Sequence, residues 1–223
     1  MKRVLLVEQD PMVRRLLELF IEGNKEYSLI CSMENEQMPD NCCEHIGADM
    51  IVMGLSEKTV WRDLKILEKV KVDHPQTKIL VMTDISDYSL VEESKNIGVD
   101  CFWYKSNPPE KIMELMDRTL NGESIYPEHY LDVPMGDAMS SELTAREIDV
   151  LRELVQGTTD TEIAEKLSVS LRTIKTHIQN MREKTGFRNR TDLAVWASTS
   201  GFVVAEMAYK TAKLHESTMY KEN

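Results

Sequence analysis

No apolar stretch in this chain approaches the roughly 18 to 20 consecutive residues that a membrane-spanning helix needs. The opening MKRVLLVEQD meets acidic residues too early for a secretory leader. A soluble, cytoplasmic protein without a membrane partner is therefore expected. Cysteine is scarce: the four present are Cys31, Cys42, Cys43 and Cys101, with no CxxC pair and no histidine at zinc-ligand spacing. That pattern predicts neither a disulfide framework nor a metal site. The thiols read as reduced and buried; an oxidant-sensing role for adjacent Cys42 and Cys43 has only His45 as a basic neighbour. Also missing are a phosphate-binding glycine loop, a nucleophile elbow and HExxH, so neither an independent enzyme nor a cofactor is expected.

What is there suffices for folding. With 223 residues and 42% hydrophobic content, the chain can bury one large core or two smaller ones, and its length favours two. The formal net charge of -11 argues against a protein that coats nucleic acid everywhere, yet the charge is uneven. Residues 1–120 hold 15 basic and 22 acidic side chains, whereas residues 171–190 set Arg172, Lys175, Arg182, Lys184, Arg188 and Arg190 against Glu183 alone. One basic element stands in an acidic protein.

The first 120 residues alternate short apolar runs with amphipathic stretches, the pattern of repeated βα units around a parallel sheet. Val4–Val7, Tyr27–Cys31, Met50–Met53, Lys78–Met82 and Cys101–Tyr104 are short enough to be buried strands. Between the first two, Asp10 can cap a helix, Pro11 fits its first turn, and Val13, Leu16, Leu17, Phe20 and Ile21 share a face before Gly23. Asn107, Pro108, Pro109 and Glu110 read as a capping box for a helix that turns Ile112, Leu115, Met116 and Leu120 inward. This places a first domain at 1–122.

Residues 123–141 mix prolines, glycine and acids without a period and read as a linker. From Thr144 the pattern is helical, with capping boxes at Thr144/Glu147 and Thr159/Glu162, a cap at Ser170, and stops at Gly157 and Gly186. A second domain is expected over 142–204, and a frayed tail over 205–223.

The helix from Leu171 to about Thr185 carries Leu171, Ile174, Ile178 and Met181 at spacings of three, four and three. Arg172, Lys175, Thr176, Gln179, Arg182 and Glu183 are then turned outward, donors suited to phosphates and base edges. A short helix over Asp160–Leu167 and the turn Ser168–Ser170 precede it, the order of a helix-turn-helix. On periodicity alone, an ordinary solvated helix face reads as well. The stretch Leu143–Ser198, with its Leu-Thr, Arg-Glu, Glu-Ile-Ala, Val-Ser, Thr-Ile-Lys-Thr-His and Lys-Thr-Gly, resembles the LuxR-type DNA-binding domain of NarL/FixJ response regulators. The resemblance implies an all-α four-helix domain with its third helix in the groove and its fourth, near Thr191–Ser200, in dimerisation. It implies base contacts by Lys175, Thr176 and Gln179. Backbone contacts by Arg172, Thr173, Lys184 and Arg188 fit the same placement. Gln179 stands where some relatives carry lysine. His177 reads as a packed or phosphate-facing ring.

Residues 1–122 resemble a receiver domain, which implies a doubly wound, five-stranded α/β fold that ordinarily takes a phosphoryl group on an aspartate. In VEQDP, Glu8 matches the first magnesium-binding acid, Gln9 replaces the second, and Asp10 follows. Gly54 falls where the acceptor belongs, Thr83 matches the switch hydroxyl, Phe102 the aromatic switch position and Lys105 the phosphoryl-contacting lysine. The 29 residues from Gly54 to Thr83 and the 22 from Thr83 to Lys105 suit that registration. Glycine neither attacks a phosphodonor nor ligates a metal, and Gln9 adds no charge to hold magnesium. Asp10 and Glu57 are near in sequence but poorly placed as substitutes. Two readings of Lys105 stay open: an ion pair with Glu8 or Asp10, or a retained anion or ligand pocket.

The sequence thus predicts a sequence-specific DNA-binding regulator, acting as a homodimer on an inverted repeat and independent of aspartyl phosphorylation. Its receiver-like domain would be a platform for dimerisation, a protein partner or a small ligand. The alternatives are a conventional phosphorylation-activated response regulator and an interaction protein that modulates other regulators.

Overall fold

The computed structural model describes residues 1–39, 47–129, 131–200 and 202–203. Cys42, Cys43 and His45 lie outside the described residues, as does the tail over 205–223. The chain divides into two compact units, the first over 1–85 and 89–129 and the second over 86–88 and from 130 on.

The first unit holds β1 (Lys2–Val7), α1 (Pro11–Glu22), β2 (Tyr27–Met33), β3 (Met50–Gly54), α2 (Val60–Asp73), β4 (Lys78–Thr83), α3 (Tyr88–Asn96), β5 (Cys101–Tyr104) and α4 (Ile112–Leu120). The five strands form one all-parallel sheet in the order β2-β1-β3-β4-β5. The central strands are covered on both faces: Val4, Leu5, Leu6 and Val7 of β1 and all of β3 are buried. Continuous apolar runs, not alternation, are what such strands need. The doubly wound fold is the one expected.

Local rules place the helices. The Asp10 carboxylate accepts the backbone N–H groups of Met12 and Val13, and Pro11 takes the first turn, where no donor is needed. Leu17 and Ile21 are buried, but Leu16, expected beside them, is 38% exposed, and Met12 and Leu19 are exposed with it. Positions 12, 16 and 19 form a second row that the sheet does not cover. The helix near residue 107 also starts differently: a 3-10 turn over Pro109–Lys111 leads into α4 with no side-chain cap. Its inward face is as expected for Ile112, Leu115 and Met116.

The second unit holds a short hairpin, β6 (Pro134–Met135) and β7 (Ala138–Met139), then α5 (Ala145–Val155), α6 (Asp160–Lys166), α7 (Leu171–Thr185) and α8 (Arg190–Thr199). Both capping boxes form, with Thr144 and Glu147, and Thr159 and Glu162, exchanging bonds; such a cap contributes about 1 kcal/mol. Ser170 caps α7, and Gly186, left-handed at φ 73°, ends it. Val150, Leu151, Leu154, Ile163, Ile174, Ile178, Met181 and Leu193 form the core.

The stretch read as a linker is tied at both ends. The Ile125 N–H donates to the Asp100 carbonyl and its own carbonyl accepts from Phe102, which adds it to the edge of β5. The hairpin belongs to the second unit: the Asp137 N–H donates to the Thr185 carbonyl at 2.9 Å, against the end of α7. Gly136 packs so closely there that a Cβ would sit 2.0 Å from that carbonyl. Asp132 secures the hairpin's base through Ser140 and Ser141.

Candidate functional sites

Glu8 follows β1, Gly54 closes β3, Thr83 closes β4 and Lys105 follows β5, so all four meet at the carboxyl ends of the strands. In doubly wound sheets this edge holds the crevice where the strand order reverses. The Glu8 carboxylate is 1% exposed. Its Oε1 accepts from the Lys105 Nζ at 2.9 Å and from the Asp10 N–H at 2.9 Å. Its Oε2 is buried without a hydrogen-bond partner among the described residues and lies 1.8 Å from where a Cβ on residue 54 would be. A Cβ at 54 would make the Glu8 carboxylate shift, so this close approach, and not φ, favours glycine there.

The neighbouring candidates are committed elsewhere or stand apart. Asp10 spends its carboxylate on the α1 cap, and those backbone N–H groups hold its pKa below the usual value. Gln9 and Glu57 are exposed. The Thr83 hydroxyl, fully buried, donates to the Leu55 carbonyl at 3.4 Å and accepts from the Ile85 N–H at 3.0 Å. Phe102 is buried, with Tyr104 edge-on at 5.5 Å. Of the two partners open to Lys105, the structure selects Glu8.

A magnesium ion, which the receiver resemblance implies, does not fit this donor set. Among the described residues at these strand ends, the Glu8 carboxylate is already ion-paired, its second oxygen lies against Gly54, and residue 54 offers no oxygen from a side chain. Hard cations need several oxygen ligands with room around them.

Sequence reasoning missed a buried polar cluster beneath the same strand end. The Asn35 amide donates to the Gly54 carbonyl and to Asp63 Oδ2, both at 2.7 Å, and the Thr59 hydroxyl donates to that oxygen at 2.7 Å. Burial pushes the Asp63 pKa up, against the lowering by those two bonds. Its signal was an acid among Val60, Leu64 and Leu67, the inward row of α2.

In the second unit, α6, a tight turn and α7 follow in order. The turn uses a left-handed serine, Ser168 at φ 54°, with its N–H donating to the Glu165 carbonyl. Ile174, Ile178 and Met181 anchor α7 in the core, whereas Leu171, expected with them, is 39% exposed. Leu171 lines an open groove of about 430 Å³ together with Arg172, Lys175, Thr176, Gln179 and Asn180. Asn180 was missed, although its spacing of four from Thr176 and eight from Arg172 places it in that row.

The cations divide into two groups. Lys184 donates to the buried Glu147 carboxylate at 2.8 Å and to the Glu142 carbonyl. Burial works against the Glu147 charge, but the Lys184 ammonium and the Thr144 N–H and hydroxyl hold its pKa below the usual range. Arg182 donates to Gln179 Oε1 at 3.1 Å and to the Arg188 carbonyl, and Arg190 bonds Asp160 at 2.7 Å. Arg172, Lys175 and Arg188 keep exposed side chains facing solvent. Thr173 sits at the N-terminus of α7, its hydroxyl bonded to that of Ser170. His177 is half-buried.

Comparison with known proteins follows the same division. Residues 141–197 match the family described as bacterial regulatory proteins, luxR family. The chain carries a LuxR-family helix-turn-helix behind a response-regulator fold. The transcriptional regulatory protein YdfI of Bacillus subtilis is 25% identical over 214 residues, covering 92% of this chain and 100% of YdfI. The response regulator protein VraR of Staphylococcus saprophyticus is 25% identical over 201 residues, covering 87% of this chain and 95% of VraR. Among solved structures, RcsB of Salmonella enterica serovar Typhimurium, bound to the promoter rprA in the presence of phosphomimetic BeF3-, shares the fold. Its TM-score is 0.58 at 20% identity, and the match covers 89% of this chain and 99% of that chain. The chain is thus a regulator of the response-regulator and LuxR kind.

Proposed function

We propose that this chain is a sequence-specific DNA-binding transcriptional regulator that works as a dimer and needs no aspartyl phosphate. The observation that carries the reading is the buried Glu8–Lys105 ion pair, with Glu8 Oε2 in the space that a side chain on residue 54 would use. The lysine that would meet a phosphoryl group is already neutralised, and the position that would carry one has no side chain. The activity is then set by abundance, a protein partner or a small ligand at the N-terminal unit.

The DNA-binding half rests on α7. Its buried row fixes orientation, its N-terminal turn is free to enter a major groove, and Arg172 and Lys175 stand on the outward face. Arg172, Thr173 and Arg188 border that face and are assigned to phosphates, with Lys175 toward the bases, while Arg182 and Gln179 bond one another on the same face. Lys184 acts from inside the domain, through Glu147. Dimer formation has support in α8, where Val195 is 55% exposed, and a twofold dimer requires an inverted repeat with half-sites about one helical turn apart.

Selection of bound fragments from random double-stranded DNA tests the proposal. Enrichment of an inverted repeat by the wild type, lost in the Arg172→Ala, Lys175→Ala double variant, is the expected result. Equal enrichment by both would remove α7 from the reading.

A further inference from the structure

The outward face of α7 consists of two parallel rows. Arg172, Thr176 and Asn180 stand four residues apart in one, and Lys175, Gln179 and Glu183 in the other. The second row is closed at its C-terminal end. Gln179 donates its Nε2 to Glu183 Oε1 at 2.7 Å and accepts at Oε1 from Arg182 Nη1 at 3.1 Å. Arg182 is in turn fixed by the Arg188 carbonyl. Both ends of the Gln179 amide are therefore engaged inside the helix. The bidentate contact that glutamine makes to adenine uses those same two atoms. The Thr176 hydroxyl also donates within the helix, to the Arg172 carbonyl at 3.0 Å.

Asn180 differs. It is exposed, lines the groove beside Lys175, and its amide has no partner among the described residues. Lys175 and Asn180 lie about 7.5 Å apart along the axis at 1.5 Å per residue, the length of roughly two base steps at 3.4 Å. The amide matches the N6 donor and N7 acceptor of adenine in the major groove, and the Lys175 ammonium matches O6 and N7 of guanine.

We infer that Asn180 and Lys175 are the base-reading pair of this helix, and that Gln179 positions Arg182 and Glu183 and does not read a base. The inference rests on the DNA-binding reading above. It assigns the half-site an adenine and a guanine about two base pairs from each other.

The test is selection from random double-stranded DNA with the full-length wild type, Asn180→Ala and Gln179→Ala, followed by affinity measurements on the selected half-site and its single-base variants. Both side chains are exposed, so both variants keep the core. The expected result is a preference of about tenfold or more for adenine at one position in the wild type, lost in Asn180→Ala and kept in Gln179→Ala. Asn180→Asp should turn the preference at that position toward cytosine, whose N4 donates to a carboxylate. If the wild type selects a site and Asn180→Ala keeps every preference while Gln179→Ala loses one, this inference fails and the DNA-binding reading stands. If the wild type enriches no sequence, both fail.

Discussion

Glu8 Oε2 lies 1.8 Å from the position a Cβ would take on Gly54, and Glu8 Cδ lies 2.6 Å from it. The Cβ of an aspartate introduced at 54 would fall against the Glu8 carboxylate, which would have to shift beside a second carboxylate. Gly54→Asp is therefore expected to destabilise the first unit by about 1–3 kcal/mol through overpacking and like-charge contact. Glu8→Ala removes the partner of Lys105, which is 15% exposed at its side chain, and should cost about 3 kcal/mol. The double variant moves the carboxylate from one strand end to the next and should recover much of both losses. A denaturant-unfolding double-mutant cycle measures this, and strict additivity would separate the two residues.

The salt dependence of DNA binding counts the cations that remain outward. The basic stretch holds six, but Arg182, Lys184 and Arg190 are bonded inside the domain. With Arg172 and Arg188 on phosphates and Lys175 on a base edge, a dimer should give a slope of log Kobs against log salt near about -4. A slope near about -11 would mean that all six meet phosphates.

Acid should loosen the second unit through Glu147. Its pKa is lowered in the folded state from an ordinary 4.5, so the unfolded chain binds the proton first. The stabilisation is present above 4.5 and is lost as pH falls below that value through the depressed folded value. Glu147→Gln should flatten stability against pH in that range. Lys184→Met should cost about 2 kcal/mol by leaving the Glu147 carboxylate buried and unpaired. Thermal unfolding between pH 6 and 3 follows both.

Gly136 carries the turn of the hairpin against α7, at φ 62° and with 2.0 Å between a Cβ and the Thr185 carbonyl. Gly136→Ala should lower the stability of the second unit by about 1–3 kcal/mol. If stability is unchanged, the hairpin is no part of that fold.

Where local chemistry decides, the fold was legible in the sequence. Asp10 before Pro11, Thr144 with Glu147, and Thr159 with Glu162 mark helix starts because their oxygens meet free N–H groups wherever the chain goes next. The buried strands were legible as unbroken apolar runs. Leu16 and Leu171 were misplaced because an apolar residue at helical spacing gives the face only to within one row, and the width of the buried stripe is set by the partner surface. The hairpin over 134–139 was hidden because two-residue strands carry no period.

At the sites, the engagements of the side chains were not legible in the sequence. The closeness of Gly54 to Glu8 depends on two strands 46 residues apart in the chain. Gln179 was named for its type and spacing, but its closure by Glu183 and Arg182 depends on rotamers. Lys184 looked like its exposed neighbours until Glu147, from another helix, faced it.

The most direct test is the affinity of the full-length protein for its selected DNA site, measured with and without prior incubation with acetyl phosphate and magnesium, with intact mass recorded on the same samples. The account predicts one affinity under both conditions and no species heavier by about 80 Da, the mass of a phosphoryl group. A stable species of that added mass, accompanied by tighter binding, would contradict it.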